Sequence, residues 1–390
     1  MLFQPAIIAL LLASSVSVLM LVAATPYAWQ LVRNWDIASG SELQLRLERR
    51  TYLLSTLLTF VFATQLVSLL LFIFNADKMA VMFVGAMCAV GTLNANDYGF
   101  PALISQIVVF FLAAVWLVVN HVDTRAYDYP LVRTKYISLM GILPFVVLSF
   151  ALQLAYFLNL KADVITSCCG SLFSGDAQTL VADASALPPL QALWLFYGAL
   201  LTVVVAALVH VKQQSNTPLF TRKGCAGGDP VAAQRPFRSQ RGAGGILSGP
   251  ESIPSISNPP QPPFAKVGST AVSSYFVAAS SAAAFVAALT GILSFVSLYV
   301  YEHPHHHCPF CLLKPEYDYQ GYWLYLPLFA ATAAGLGVGA IQPFARVSSL
   351  AVIVPQMSRR LAWIAALGFV LFTAVATFMV ANSNLILLKD

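Results

Sequence analysis

The chemistry-bearing residues of this sequence concentrate in one short stretch, where four of the six histidines and a C-x-x-C motif fall within nine residues. These are His303, His305, His306, His307, Cys308 and Cys311. The C-x-x-C spacing brings two sulfurs together, either in a disulfide or on one soft cation. Pro309 favours the first position of a short helix, which would leave Cys308 at a helix N-terminus. Because the helix dipole stabilises a thiolate there, Cys308 is predicted to be the attacking or metal-binding sulfur.

The histidines beside the motif allow two interpretations. Zn²⁺ and Cu accept imidazole and thiolate together, so His305, His307, Cys308 and Cys311 form the predicted metal site. Alternatively, His307 in its charged form would stabilise the neighbouring Cys308 thiolate without binding a metal. All four histidines cannot easily bind one ion, because neighbours in an extended loop point to opposite sides. Residues 308–311 resemble a glutaredoxin dithiol, but no strand-turn-helix pattern surrounds them, so neither fold nor function follows from the resemblance.

A second pair of thiols, Cys168 and Cys169, is adjacent in the sequence. Adjacent Cα atoms lie about 3.8 Å apart, below the usual disulfide minimum of about 4.4 Å. A bond between these two residues would therefore be strained and easily reduced. Alternatively, each pairs elsewhere, for example with Cys308 or Cys311, or both bind a soft ion. Ordinary structural disulfides that join two loops are the remaining interpretation.

Cys88 precedes a polar turn that contains Asn94, Asn96 and Asp97. Non-helical backbone at membrane depth must be satisfied by protein or water, so the turn is predicted to line a cavity. The three polar residues are candidate cofactor ligands there, for example for a quinone head group. An ordinary turn is the alternative, and Cys88 alone is equally typical of a small core residue.

The composition indicates what must position these residues. The chain is 58% hydrophobic and 9% charged, whereas a soluble domain has about 25% charged residues, so a water-soluble globule is excluded. The predicted fold is all-α, a polytopic membrane helix bundle, because eight segments reach the roughly 20 apolar residues of a spanning helix. They are Ala6 to Trp29, Leu53 to Phe74, Ala102 to Asn120, Ile137 to Leu158, Leu190 to Val211, Tyr275 to Val300, Tyr322 to Ile341 and Leu361 to Val380.

Met79 to Leu93 is apolar but too short to span. Fifteen residues of helix cover about 22 Å, less than the bilayer core of about 30 Å. This segment is therefore predicted to be a re-entrant or interfacial half-helix.

The basic residues predict the orientation. If the half-helix does not cross and both termini lie outside, 17 of the 21 Lys and Arg residues lie inside, as the positive-inside rule requires. The chain is therefore predicted to lie in a bacterial cytoplasmic (inner) membrane. All cysteines except Cys225 then face the outer compartment, where disulfides can persist.

Three regions are predicted along the chain. Residues 1–211 hold the first five spans with half-helix 79–93, and residues 271–390 hold the last three spans with an outer Cys/His loop at 301–321. Between them, residues 212–270 form a basic cytoplasmic loop rich in Gly, Pro and Ser, predicted to be disordered. No internal repeat is evident. Because the net charge of this loop, +5, equals that of the whole chain, the basic excess is interpreted as a topology signal. Nucleic acid is therefore not an expected partner, and the lipid bilayer is.

Three functions remain open. The first is thiol-disulfide exchange at the outer face, in which Cys308 attacks, Cys311 resolves and the Cys168/Cys169 pair is the partner. The chain would then be a thiol-disulfide oxidoreductase with an extracytoplasmic redox partner. The second is binding, delivery or transport of Cu or Zn, with a metalloprotein partner. The third is a structural or assembly subunit. Quinone, or haem between His121 and His210, is not excluded as a cofactor, while the near-absence of ionisable residues from the spans argues against a proton relay.

Overall fold

The computed structural model describes residues 4–36, 41–86, 88–161, 188–215, 264–303 and 306–385. These residues form helices and no strands. Within them, eight helices are long and apolar enough to cross a membrane, as the sequence predicts. A helix is the form expected for such segments, because it satisfies every backbone N–H and C=O group within the segment itself.

The α-helices of the described residues differ mainly in length. They are α1 (Pro5–Asn34), α2 (Glu42–Met79), α3 (Ala89–Leu93), α4 (Gly99–Asp123), α5 (Val132–Leu158), α6 (Pro189–Ser215), α7 (Phe264–Gly291), α8 (Ser297–Tyr301), α9 (Gln320–Ile341) and α10 (Ile353–Ala381). A π-helix, Ile292–Val296, joins α7 to α8. Short 3₁₀ helices follow α2 and α9 and precede α9 and α10. Only α3 and α8 are too short to span by themselves.

The long helices form two four-helix bundles. In the first, α1, α2, α4 and α5 pack in a ring, and in the second, α6, α7, α9 and α10 pack in the same order. Contacts between α4 and α9 join the bundles. In both, an irregular segment with cysteines connects the second helix of the ring to the third. The chain thus repeats its element order and packing, although no internal repeat is evident in its sequence.

Residues Met79–Leu93 do not form the continuous half-helix that the sequence predicts. Helix α2 continues to Met79, a 3₁₀ turn follows, and only five residues, Ala89–Leu93, form α3. The chain turns between them at Gly85, whose φ of 87° lies in the left-handed region. Glycine adopts this conformation at little cost because it lacks a Cβ atom, so the apolar pattern is interrupted by a turn.

Helices α4 and α5 extend beyond their predicted ends and enclose an ion pair. Lys135 Nζ lies 2.7 Å from Asp123 Oδ2, and the two side chains are 1% and 0% exposed. Lys135 Nζ also donates to Asn120 Oδ1 (3.2 Å), and Asp123 Oδ1 accepts from the backbone N–H of Leu131 (2.8 Å). Both residues lie just outside the predicted spans Ala102 to Asn120 and Ile137 to Leu158, so the expectation of spans nearly without ionisable residues still applies to those spans. The helices that contain the spans nevertheless hold a buried ion pair at this end of the first bundle.

Two predicted regions fall on residues outside the described ones. Residues 216–263, most of the predicted basic loop, are among them. At its edges α6 extends to Ser215 and α7 begins at Phe264, so the helices continue into the segment predicted as a 212–270 loop. Residues 162–187, which include Cys168 and Cys169, are also outside the described part.

Candidate metal centre

Three buried sulfurs meet where the two cysteine-bearing connections touch. Cys88 Sγ lies 3.1 Å from Cys308 Sγ, although 220 residues separate them. With Cys311 Sγ they form a group whose atoms all lie within 4.8 Å of one another. The exposed fractions of Cys88, Cys308 and Cys311 are 0%, 0% and 6%. No disulfide joins any cysteine that the structure describes. We call this group the cysteine cluster.

The pairing of Cys308 with Cys311 follows from their spacing, but sequence reasoning missed Cys88 as a site residue. A single cysteine in an apolar segment resembles any small core residue. The signal that could have found it is positional. Cys88 lies in the connection after the second helix of its bundle, and Cys308 lies in the equivalent connection of the other bundle.

The first bundle positions Cys88 through the short helix that follows it. The carboxylate of Asp77, near the end of α2, accepts a hydrogen bond from the backbone N–H of Ala89. Further along α3, the Tyr156 hydroxyl donates to the carbonyl of Thr92 (3.1 Å). Helix α3 is thereby attached to α2 on one side and α5 on the other, which sets the position of the Cys88 sulfur.

Gly99 lets α4 begin directly against α3. A Cβ atom at this position would lie 2.0 Å from the carbonyl oxygen of Leu93. Any side chain there would displace the end of α3. The glycine therefore contributes to the cluster geometry without touching a sulfur.

The second bundle holds the C-x-x-C backbone through two tyrosines. Tyr301 donates its hydroxyl to the carbonyl of Cys308 (2.6 Å), and Tyr325 donates to the carbonyl of Pro309 (2.8 Å). Both tyrosines bond to backbone oxygens and not to the sulfurs. They therefore hold the loop, and the loop conformation sets the positions of the sulfurs. The following 3₁₀ helix begins only at Cys311, with Phe310 as its N-cap. The prediction that Cys308 lies at a helix N-terminus is therefore wrong, because these two carbonyls bond to tyrosine hydroxyls and not to helical N–H groups.

The nearby histidines lie around the cluster. His307 Nδ1 is 2.8 Å from the carbonyl oxygen of Leu293 in the π-helix. The His306 ring packs on Tyr301, with centroids 4.1 Å apart, and its buried Nε2 has no hydrogen-bond partner among the described residues. In the described part of the chain, the three cysteine sulfurs lie within 4.8 Å of one another, and this group includes no histidine nitrogen. His305, predicted as a ligand, lies outside the described residues.

The surroundings of the sulfurs are mainly apolar. Val90, Leu293, Phe100 and Phe310 pack against them. An unpaired thiolate in such surroundings is strongly disfavoured, whereas a metal-bound thiolate is compensated by the cation. The site therefore suits neutral thiols or metal-bound thiolates.

Beside the cluster, an ion pair connects the end of α2 to the connection that carries Cys308 and Cys311. Lys314 Nζ lies 3.9 Å from Asp77 Oδ1, and the side chains are 23% and 35% exposed. A pair this long and partly exposed adds little stability. It does place Asp77, which bonds to Ala89, next to the segment that carries Cys311.

The predicted cofactor turn is held by contacts within the protein. Asn96 Nδ2 donates to the carbonyl of Tyr156 (3.0 Å), and its Oδ1 accepts from the backbone N–H of Tyr98 (3.0 Å). Asn94 and Asp97 are exposed. These contacts are typical of a turn that joins two helices, and a cofactor role for the three residues stays a prediction.

The geometry at His210 does not suit a haem between His121 and His210, the cofactor that the sequence did not exclude. The ring nitrogens of this buried residue lie 2.8 Å from Ser273 Oγ and 2.7 Å from Ser358 Oγ. Both nitrogens are used, so neither remains for a haem iron. His210 instead connects α6 to α7 and α10.

Known protein families, curated proteins and solved structures provide no match to this chain. The functional argument therefore depends on the geometry of the site and on the character of the helices around it.

Proposed function

We propose that this chain is a multi-pass membrane protein that binds one soft metal ion through Cys88, Cys308 and Cys311. The observation that carries the proposal is the convergence of three buried sulfurs from two distant segments within 4.8 Å. Metal–thiolate bonds are about 2.3 Å long, so three sulfurs around one ion lie about 4 Å apart. The cluster needs only a small adjustment to reach that geometry.

The number of ligands favours Cu(I). Thiolates select soft ions such as Cu(I) or Zn²⁺, but structural Zn²⁺ sites almost always hold four ligands. The cluster supplies three, a number that Cu(I) accepts. A fourth ligand from the predicted set, His305 or His307, would instead complete a Zn²⁺ site.

The test is metal loading of the full chain, purified in detergent under anaerobic, reducing conditions. Cu(I) is supplied from a competing chelator and Zn²⁺ in a parallel sample, and bound metal is measured after gel filtration. We expect one Cu(I) per chain. If Zn²⁺ alone binds stoichiometrically and His305→Ala removes it, the centre is a four-ligand zinc site. If neither ion binds, the metal proposal is wrong.

A second candidate function, reversible disulfide formation, is favoured by the 3.1 Å separation of Cys88 and Cys308. The two thiols would lose two electrons and two protons and form one S–S bond. A disulfide acceptor such as the predicted Cys168–Cys169 bond would take them up and become two thiols. Attack of Cys311 on the Cys308 sulfur would then break the Cys88–Cys308 bond and leave a Cys308–Cys311 disulfide, with the Cys311 proton passing to Cys88, which leaves as a thiol. Direct attack by a partner protein is disfavoured, because Cys308 is fully buried.

Thiol counting separates the two candidates. If the disulfide function is right, mild oxidation should consume two of the three cluster thiols and form a Cys88–Cys308 disulfide or, after exchange, a Cys308–Cys311 disulfide. If the cluster binds a metal, loading with Cu(I) should protect all three thiols from alkylation and oxidation.

The membrane proposal places the cysteine cluster at the outer face and the basic connections inside. It is supported by the eight apolar helices and by the distribution of Lys and Arg. Outer and inner connections can be compared at two exposed polar residues, Glu316 before α9 and Arg125 after α4. The native Cys308 and Cys311 are too buried to serve as reporters.

We expect an impermeant maleimide to modify Glu316→Cys in intact cells, but Arg125→Cys only after permeabilisation. The reason is that these positions lie at opposite ends of the helices and the second is among basic residues. Mass spectrometry of the tryptic peptides measures the labelling, with the unsubstituted chain as control. The reverse pattern would invert the orientation.

A further inference from the structure

The interior of the first bundle contains a small cavity with an unusual lining, which we call the polar cavity. Its volume is about 10 Å³, roughly the space that one water molecule needs. Each helix of the first bundle contributes to the lining. The polar lining residues are Ser14, Gln65, Ser68, Gln106, Ser149 and Gln153.

These six side chains have no hydrogen-bond partner among the described residues. Gln106 and Gln153 are 5% and 1% exposed, and Oε1 of the first and Nε2 of the second are fully enclosed without a partner. Other serines of the same bundle behave differently, since Ser17 donates to the carbonyl of Ala13 (2.8 Å). Buried polar groups in native proteins are normally satisfied. The polar cavity is therefore built around something that the protein itself does not supply.

We propose that the polar cavity binds one alkali cation, Na⁺ or K⁺, through neutral hydroxyl and amide oxygens. One water molecule makes two to four hydrogen bonds, so it would leave at least two of the six groups unsatisfied. A six-coordinate cation has one ligand position for each of these six groups. A half-turn of the terminal amide of Gln153 exchanges its nitrogen and oxygen with almost no change in shape.

The chemistry of the lining residues also favours a monovalent cation over a divalent one. Mg²⁺ and Ca²⁺ sites in proteins rely on carboxylates, and the residues that line the polar cavity in the described structure include none. Rings of neutral oxygens replace the hydration shell of monovalent cations in channels. The remaining lining residues, Val18, Val146 and Phe150, are apolar.

This site is separate from the cysteine cluster. Gln65 precedes Asp77 by twelve residues on α2, a distance of about 18 Å along the helix. Hard neutral oxygens and soft sulfurs select different ions. Cation binding therefore does not depend on the proposed soft-metal function.

The test is thermal unfolding of the full chain, purified in detergent in choline chloride. NaCl or KCl replaces choline chloride at constant ionic strength. We expect a saturable rise of several degrees in the unfolding midpoint with at least one of the two cations, because ligands that bind only the folded state stabilise it. The difference between the Na⁺ and K⁺ curves identifies the preferred ion.

The variants Gln106→Leu and Gln153→Leu should lose this response. The matched control is Gln342→Leu in the second bundle, where the native side chain is also buried, at 6% exposure, and accepts a hydrogen bond from Ser274 (2.7 Å). This variant should keep the response, even if its midpoint is lower.

Equal midpoints in Na⁺, K⁺ and choline would overturn the proposal and leave the polar cavity as a water site. A response that persists in both cavity variants would place the cation elsewhere and overturn it as well. If the variants do not fold, equilibrium binding of radioactive sodium and rubidium to the unsubstituted chain decides the question. One ion per chain is expected, and no bound ion would refute the site.

Discussion

Replacement of Cys88 by serine is expected to lower the Cu(I) affinity of the purified protein by more than about 100-fold, as is replacement of Cys308 or Cys311. Changes in residues that only support a metal ligand already cost about 10- to 100-fold, and removal of a ligand should cost more. A serine hydroxyl is a hard, protonated group that does not replace a thiolate on a soft ion. Competition against a Cu(I) chelator of known affinity measures the change.

The control for this experiment is Cys225→Ser, which removes a thiol from the predicted basic loop and should leave Cu(I) binding unchanged. The result for Cys88 is the most informative, because no spacing pattern connects it with the C-x-x-C motif. If Cys88→Ser binds Cu(I) as tightly as the unsubstituted chain, then Cys88 is only a core residue. The metal site would in that case reduce to the 308–311 loop, and the three-sulfur proposal would be wrong.

Replacement of Lys135 by methionine is expected to destabilise the protein by about 3–5 kcal/mol, the usual effect of leaving one charge of a buried pair uncompensated. Asp123 would remain at 0% exposure without its cation, while still bonded to Leu131. The loss of the Lys135 contact to Asn120 adds to the effect. The free energy of unfolding, measured by denaturant titration in mild detergent, checks this prediction.

Two further variants test whether the uncompensated charge of Asp123 causes the destabilisation. In the double variant Lys135→Met/Asp123→Asn, most of the stability should return, since asparagine is neutral and keeps the oxygen that bonds to Leu131. For comparison, Arg46→Met removes an exposed pair in which Arg46 and Glu42 lie 3.7 Å apart, and its effect should be below about 1 kcal/mol. A single Lys135 variant as stable as the Arg46 variant would contradict the assigned role of the buried pair.

The limits of sequence reasoning are clearest at the ends of the helices. Hydropathy predicts the apolar centre of a span, because only the centre must match the bilayer core. Lys135 and Asp123 lie just beyond the predicted centres and were therefore assigned to a loop. Their charges are compensated only when α4 and α5 pack side by side, which a one-dimensional pattern cannot indicate.

The same limit applies between Met79 and Leu93. The apolar composition of this segment favours one helix, but Gly85 allows a left-handed turn that divides it. The turn lets α3 fold back on α2, where Thr92 donates to the carbonyl of Ala76 (2.7 Å). Whether such a turn forms depends on contacts between the segments before and after the glycine, such as this one.

The sequence by itself determined the features that depend on local composition and spacing. These are the helical class, the eight apolar helices and the closeness of Cys308 to Cys311. The physical reason is that helix formation in apolar segments satisfies the backbone within about 20 residues. A C-x-x-C motif likewise brings its two sulfurs together within four residues.

Only the tertiary structure decided what surrounds those features. It brought Cys88 to Cys308 across 220 residues, and it enclosed six polar side chains from four helices around one small cavity. Both depend on which helices are neighbours and how each is rotated. Hydropathy does not encode that choice, because an apolar helix can turn almost any face towards lipid. The packing of buried side chains therefore determines which chemical groups finally meet.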